Sequence, residues 1–375
     1  MVYLDYSATT KTSDEVLDSF VAASKKFIGN PNSLHKLGVD AKNIIDQATT
    51  QIAHLLNVKE NEIIYTSGSS ESNNLAIKGI TEKYKNRGKH IITTPLEHSS
   101  IYGPLNYLTD KGYIVDFVKL DSNGLVDLND LESLMSDDTI LVSIGAVNSE
   151  IGLLQPIDAI ARIVKKYPKC FFHSDMTQAI GKVDISLENV DLVSFSGHKF
   201  FGIKGIGVLI KKEKIELTPL IHGGKSTSVY RSGTPCLPLI VSISKALRLA
   251  LEDIDNKEKK VKKLNKYLKD NLSKYEKVHI NSNEHCIPHI LNLSVVGVKP
   301  ETMLHALERY EIYISTQSAC SSSNTSSRAV LSLTQDESLA TSSIRISISY
   351  ITTEKELEYF LKCFDECYKE LTCLK

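Results

Sequence analysis

Asp191-Leu192-Val193-Ser194-Phe195-Ser196-Gly197-His198-Lys199 reads as a short apolar strand that ends abruptly in small and polar residues. The same pattern recurs upstream in Asn61-Glu62-Ile63-Ile64-Tyr65-Thr66, His90-Ile91-Ile92-Thr93, Ile140-Leu141-Val142-Ser143-Ile144 and Cys170-Phe171-Phe172-His173, with helical patterns between them. This alternation, from about residue 40 to 210, predicts an α/β fold: a mostly parallel sheet covered by helices on both faces. Ligands bind beyond the carboxyl ends of the strands in such a sheet. The polar residues that follow each strand are therefore the ones to inspect.

Farther along, Leu251 to Lys277 is dense in Lys, Asp and Glu, with Leu251, Ile254, Val261, Leu264, Leu268 and Leu272 at helical intervals. This predicts a long, half-exposed connecting helix. New strand candidates follow at His289-Ile290-Leu291-Asn292-Leu293-Ser294 and Ser343-Ile344-Arg345-Ile346-Ser347, which suggest a second, smaller domain. No internal repeat is evident. Ser315 to Ser327, rich in Ser, Thr and Asn, is expected to be a mobile loop, and it contains Cys320.

The bulk properties exclude several classes. With 375 residues, 42% hydrophobic and 24% charged, the chain has the composition of a globular protein rather than a disordered or coiled-coil one. The formal net charge of -1 offers no global field toward nucleic acid or an anionic membrane, which leaves small molecules and proteins as partners. No apolar run has the length of a membrane span, and no leader precedes Tyr3-Leu4-Asp5-Tyr6, so a cytoplasmic protein is expected. The 7 cysteines lack the paired spacings of a disulfide framework or a zinc site, and reduced thiols are expected. Cys363 and Cys367 would share one helix face, as packing residues.

Chemistry enters with Lys199. A lysine at a strand end, followed by Gly202-Ile203-Lys204-Gly205-Ile206-Gly207, sits near a ligand site. Desolvation or neighbouring positive charge would make its amine a nucleophile able to form an imine. Asp175 closes the preceding strand and could face a heterocyclic ring nitrogen. Upstream, Ser67-Gly68-Ser69-Ser70-Glu71-Ser72-Asn73-Asn74 precedes the apolar helix Leu75 to Ile80. Free N–H groups at a helix start, with hydroxyls around them, make a phosphate cradle. Each feature alone has an ordinary reading: a surface lysine, a turn Asp, a plain helix cap. Arg345 alone reads as a structural ion pair. It is their order along one strand series that points to a cofactor site.

Together with Tyr3-Leu4-Asp5-Tyr6-Ser7-Ala8-Thr9-Thr10, Thr66-Ser67-Gly68, Glu97-His98, Arg231-Ser232-Gly233-Thr234, Ser318-Ala319-Cys320 and Ser342-Ser343-Ile344-Arg345, these elements resemble the fold-type I pyridoxal-phosphate (PLP) enzymes of the class V aminotransferase group, most closely the cysteine desulfurases. The resemblance covers nearly the whole chain. It implies a large PLP-binding domain over residues 13–250, with a mostly parallel seven-stranded sheet between helices. A smaller α+β domain of residues 1–12 and 251–375 would carry the cysteine loop, about 315–327. Lys199 would hold PLP as a Schiff base, Asp175 would pair with the pyridine nitrogen and Gln178 would donate to the ring oxygen, with Ser149 near it. His98 would stack on the ring and move protons. Ser69, Ser70, Ser196 and His198 would hold the phosphate, joined by Thr234 from the second subunit of a homodimer. Arg345 would grip the substrate carboxylate through its planar fork.

The resemblance further implies that sulfur from L-cysteine passes to Cys320 as a persulfide, with release of L-alanine. The persulfide would then reach an acceptor protein, either an iron–sulfur scaffold or a tRNA-thiolation enzyme. No resident metal is implied; Cys320 would meet an iron–sulfur cluster only transiently. Some positions depart from the family pattern: Ser149 replaces an Asn, Met176 a small Ala, Lys225 a Gly, Gln317 a Gly and Tyr350 an Arg. These leave open a lyase acting on selenocysteine or another class V lyase or aminotransferase, and a non-catalytic scaffold in sulfur trafficking.

Overall fold

The computed structural model describes residues 1–316 and 326–373. After a short opening strand, β1 (Val2–Tyr3), come β2 (Ile63–Thr66), β3 (His90–Thr93), β4 (Ile114–Phe117), β5 (Thr139–Ser143), β6 (Phe171–Asp175), β7 (Leu192–Ser196) and β8 (Gly207–Lys211). The last seven form one sheet in the order β2-β8-β7-β6-β5-β3-β4. All neighbours pair parallel except β8, which runs antiparallel to both β2 and β7. The expected α/β class, with a mostly parallel sheet, is what the chain forms.

Adjacent residues in these strands feed opposite cores. Ile91, Leu141 and Leu192 pack under the helices Ser69–Lys83 and Ser99–Thr109. Ile92, Val142 and Val193 pack on the other face, in the core shared with Asp14–Lys26, Lys36–Leu56 and Leu237–Leu251. A strand covered on both sides is apolar on both faces, with the few polar residues such as Ser143, His173 and Ser194 hydrogen-bonded to one another, which is why the sequence shows near-continuous runs rather than alternation.

Two local readings needed correction, and one run gained a structure that it had not been given. The helix placed at Leu75 begins earlier, at Ser69, and runs to Lys83. The glycine-rich run after Lys199 leads into β8. Its short link from β7 turns the chain back antiparallel, because a parallel return needs a long crossover. The helix expected over Leu251 to Lys277 is confined to Ile254–Leu272, divided from Leu237–Leu251 at Asp253, whose φ of 56° is left-handed. One edge strand, β4, went unread: Ile114 and Phe117 are exposed there, so no buried apolar run announces it.

The remaining strands are β9 (Val278–Ile280), β10 (Ile290–Val295), β11 (Ile312–Tyr313) and β12 (Ser343–Ser347). An antiparallel β12-β10-β9 sheet packs with the helices Ile254–Leu272, Pro300–Glu308 and Glu354–Thr372 around Leu264, Leu293, Ile346 and Phe364. Cys363 and Cys367 are buried in this core. β1 pairs parallel with β11, so the first residues of the chain belong to this C-terminal body. Ile287 and Ile290 join the main core, and Leu96, Ile151 and Leu153 cluster with Ala329, Val330 and Ala340, which ties the two bodies together. Among the described residues no helix is long and apolar enough to cross a membrane.

Candidate active site

From β3 the chain runs outward to the edge strand β4 and then returns past β3 to β5, and a cleft opens at the carboxyl ends of the strands beside this reversal of strand order. Its volume is about 210 Å³. It is lined by residues following β2 (Ser69, Ser70), β3 (Glu97, His98), β5 (Asn148, Ser149), β6 (Asp175, Gln178) and β7 (His198, Lys199), together with Ser7, Ala8 and Arg345.

Register aligns the first of these groups. Gly207 of β8 pairs with both Thr66 of β2 and Ser196 of β7. A Cβ on Gly207 would lie 2.6 Å from Gly68 backbone atoms, so only glycine lets the strands close here. Gly68 caps the helix Ser69–Lys83 without a side-chain hydrogen bond. The Ser69 N–H donates to the buried Ser196 Oγ at 3.3 Å, and Glu71 accepts from Ser67 N and from Arg231 Nε. The helix start thus presents N–H groups and two serines to the cleft, the donor set that an anion requires.

Asp175 and Lys199 occupy the next two strand ends. The Asp175 Oδ1 accepts from Thr177 N at 2.9 Å and its Oδ2 from Asn73 Nδ2 at 2.7 Å. Asn73 is fully buried, and it also donates to Ser100 Oγ at 2.9 Å. Ser100 in turn meets His98 Nδ1 at 2.8 Å. A continuous polar chain therefore orients both Asp175 and the His98 ring. The Lys199 Nζ donates to the carbonyls of Ser7 and Ala8, both at 2.7 Å. Gln178 Nε2 donates to the same Ser7 carbonyl at 2.8 Å.

Electrostatics divides these groups. Burial pushes the Glu97 carboxyl up to about 7, against hydrogen bonds from Gly145 N and Thr94 Oγ1 and with a further rise from Asp175. His98 is held below its ordinary value by burial, with Lys199 adding to the fall and Asp175 opposing it. His198 drops to about 4, by burial and then by Lys199, Lys204 and Lys182. Both imidazoles are therefore neutral near pH 7 and able to accept a proton or a hydrogen bond.

Arg345 is 1% exposed. Its Nη2 meets Asp5 Oδ1 at 2.7 Å and its Nη1 donates to the Ser149 carbonyl at 2.9 Å. It is both the ion pair that the residue alone suggested and part of the cleft wall. Ser149 enters the site through that carbonyl, which also accepts from Ser7 Oγ. Met176 is fully buried in the main core and does not line the cleft. Thr234 is exposed on a loop and does not line the cleft of its own chain. Cys320 and Gln317 lie outside the described residues. Sequence reading missed Asn73, Asp5 and Lys182, and gave Glu97 no role; Asn73, Asp5 and Glu97 stood within quoted motifs, but nothing local marked them as turned into the site.

The family description Aminotransferase class-V matches residues 2–360. A protein of Lactobacillus delbrueckii subsp. bulgaricus named "NifS/IcsS protein homolog" is 40% identical, over 99% of this chain and 98% of its own. The "Cysteine desulfurase IscS" of Buchnera aphidicola is also 40% identical, over 96% of this chain and 91% of its own. The chain belongs to the class-V aminotransferases, within the cysteine desulfurase family. A solved "NIFS-LIKE PROTEIN" matches the desulfurase-family fold here with a TM-score of 0.93 at 37% identity, covering both chains fully. Cysteine desulfurases are PLP enzymes, and the cleft fits that cofactor chemically: an uncapped helix start for a phosphate, a carboxylate for a ring nitrogen and a lysine amine for an aldehyde.

Proposed function

We propose that this protein is a cysteine desulfurase that takes sulfur from L-cysteine, releases L-alanine and carries the sulfur as a persulfide on Cys320. The observation that carries this reading is the convergence of Lys199, Asp175 and the Ser69 helix start at neighbouring strand ends, in a chain of the desulfurase family. PLP, when bound, supplies an electron sink that lets a bond to the substrate Cα break.

The chain's own residues do the rest. The helix start, Ser69, Ser70, Ser196 and His198 bind the phosphate, and Asp175, fixed by Asn73 and Thr177, keeps a proton on the ring nitrogen. Lys199 would anchor the cofactor, and its Nζ, held by the carbonyls of Ser7 and Ala8, would be the base that takes the substrate Cα proton. His98, neutral and hydrogen-bonded through Nδ1 to Ser100, is free to pass a proton at Nε2. Arg345, with one nitrogen held by Asp5, meets the substrate carboxylate. The Cys320 thiolate attacks the substrate sulfur; an S–S bond forms as the C–S bond breaks, the electron pair of that bond stays with the three-carbon fragment, and protonation at Cβ and then at Cα gives alanine. Thr234, on its exposed loop with Leu220, Ile221 and Val229, faces a second copy in a homodimer.

Product analysis tests the reading. With L-cysteine the protein forms alanine and a persulfide on Cys320, and Cys320→Ser abolishes the persulfide and reduces alanine formation to a small fraction. Sulfide release undiminished in Cys320→Ser overturns the transfer step. Alanine from selenocysteine alone makes the protein a selenocysteine lyase.

A further inference from the structure

Beneath the cleft lies a second lysine that none of the steps above employs. Lys182 is only 8% exposed. Its Nζ donates to Gln178 Oε1, in a closer contact than most hydrogen bonds. Gly181, at φ 75°, precedes it, with space for a Cβ denied by Ala250 and Phe200 at 2.8 and 3.0 Å. Lys182, Lys199 and His289 line one cavity of about 20 Å³ behind the Lys199 turn. Burial, then the charges of Lys199 and Arg345, holds the Lys182 amine well below its ordinary value, while Asp5 offsets the charge of Arg345. His289 is driven to about 3 by burial and by Lys182, so it stands neutral beside this amine.

An amide has a donor end and an acceptor end, and neutral surroundings leave its two orientations nearly equivalent. A lysine removes the ambiguity because its Nζ is a donor when charged and keeps N–H groups to donate when neutral. With Lys182 at its oxygen, Gln178 must turn its Nε2 away, toward Ser7 and the cleft. One N–H then holds the Ser7 carbonyl that also receives Lys199 Nζ, and the second is left for the cleft. The polar line Lys182–Gln178–Ser7–Lys199 joins the buried amine to the anchoring one.

We propose that Lys182 is a positioning residue, which fixes the Gln178 amide with its N–H toward the cofactor and so sets the Ser7 carbonyl against Lys199. The inference rests on the reading of Gln178 as a cofactor contact. Its test compares Lys182→Met, Gln178→Met and the double variant with the parent. The readouts are PLP dissociation constant, visible circular dichroism of the bound cofactor and thermal midpoint.

Lys182→Met removes the cost of burying an amine but also takes the donor from the buried Gln178 Oε1, so the two effects oppose and the thermal midpoint changes little. PLP binding weakens about 3- to 10-fold, the scale of one lost orienting hydrogen bond, and the dichroic band changes. In the Gln178→Met background the Lys182 substitution has little further effect, because its route through the amide is already cut. Lys182→Gln, too short to reach Gln178, behaves as Lys182→Met does and serves if that variant does not fold. Parent-like affinity and dichroism in both Lys182 variants, with loss in Gln178→Met, overturns the inference alone. An additive loss in the double variant overturns it too. Parent-like binding by Gln178→Met overturns the cofactor-contact reading, and the inference with it.

Discussion

Glu97 shows how much a single side chain is shaped by its surroundings. Its carboxyl, ordinarily near 4.5, is raised to about 7 mainly by burial beside Asp175. Between those values the folded chain holds a proton that the unfolded chain releases, so stability falls as pH rises through that window and the contribution is gone above it. A shift of this size is worth of the order of 3 kcal/mol. Glu97→Gln should therefore be more stable than the parent above pH 7, by up to about that amount, and equal to it near pH 4.5. Urea unfolding at pH 5 and pH 8 measures the difference; parallel pH slopes in parent and variant would sink the argument. Asp175 and Lys199 were legible because each follows a recognisable strand, where the architecture puts ligands. Asn73 was not: it sits in a helix with the polar look of a surface residue, and only the fold buries it against Asp175. Lys182 escaped for the same reason.

Strand ends, not strands, decide what this sheet does. β2, β8 and β7 meet at Thr66, Gly207 and Ser196, and the cradle at Ser69 exists only because Gly207 lets Gly68 come close. Gly207→Ala forces a Cβ into backbone atoms that cannot yield locally, and should destabilise the protein by about 1–3 kcal/mol. It should also weaken inorganic phosphate and PLP binding together, measured by calorimetry. Loss of stability with phosphate binding intact would separate the strand contact from the cradle. The parallel core strands could be read from their unbroken apolar runs, since both faces are covered. β8 and β4 could not. The first hides its start in a glycine-rich run, and the second is an edge strand whose exposed residues carry no core signal.

On the scale of the molecule, the N-terminal segment fastens the two bodies around the cleft. Val2 and Tyr3 pair with β11, Asp5 bridges to Ser347 and holds Arg345, Ser7 and Ala8 receive Lys199, and Thr10 donates to the His198 carbonyl. Removing residues 1–8 would strip the carboxylate from a buried arginine, a loss of about 3–5 kcal/mol, and free the Lys199 amine from its acceptors. The truncated chain should stay α/β by far-ultraviolet dichroism but lose the yellow colour of bound PLP; parent-like PLP affinity would show that the clasp is dispensable. The class of fold was plain from strand and helix alternation, and the family resemblance grouped residues 1–12 with 251–375; the contacts by which Asp5, Ser7 and Ala8 hold Arg345 and Lys199 were not legible, since they depend on partners hundreds of positions apart. The clasp also sets an order of events at birth. Residues 2–8 must wait for Ile312 and Ser347, which are made much later, so the cofactor pocket cannot close before the segment carrying those two residues has emerged from the ribosome. Newly made protein would take up PLP only once that later segment has been made and the clasp has formed.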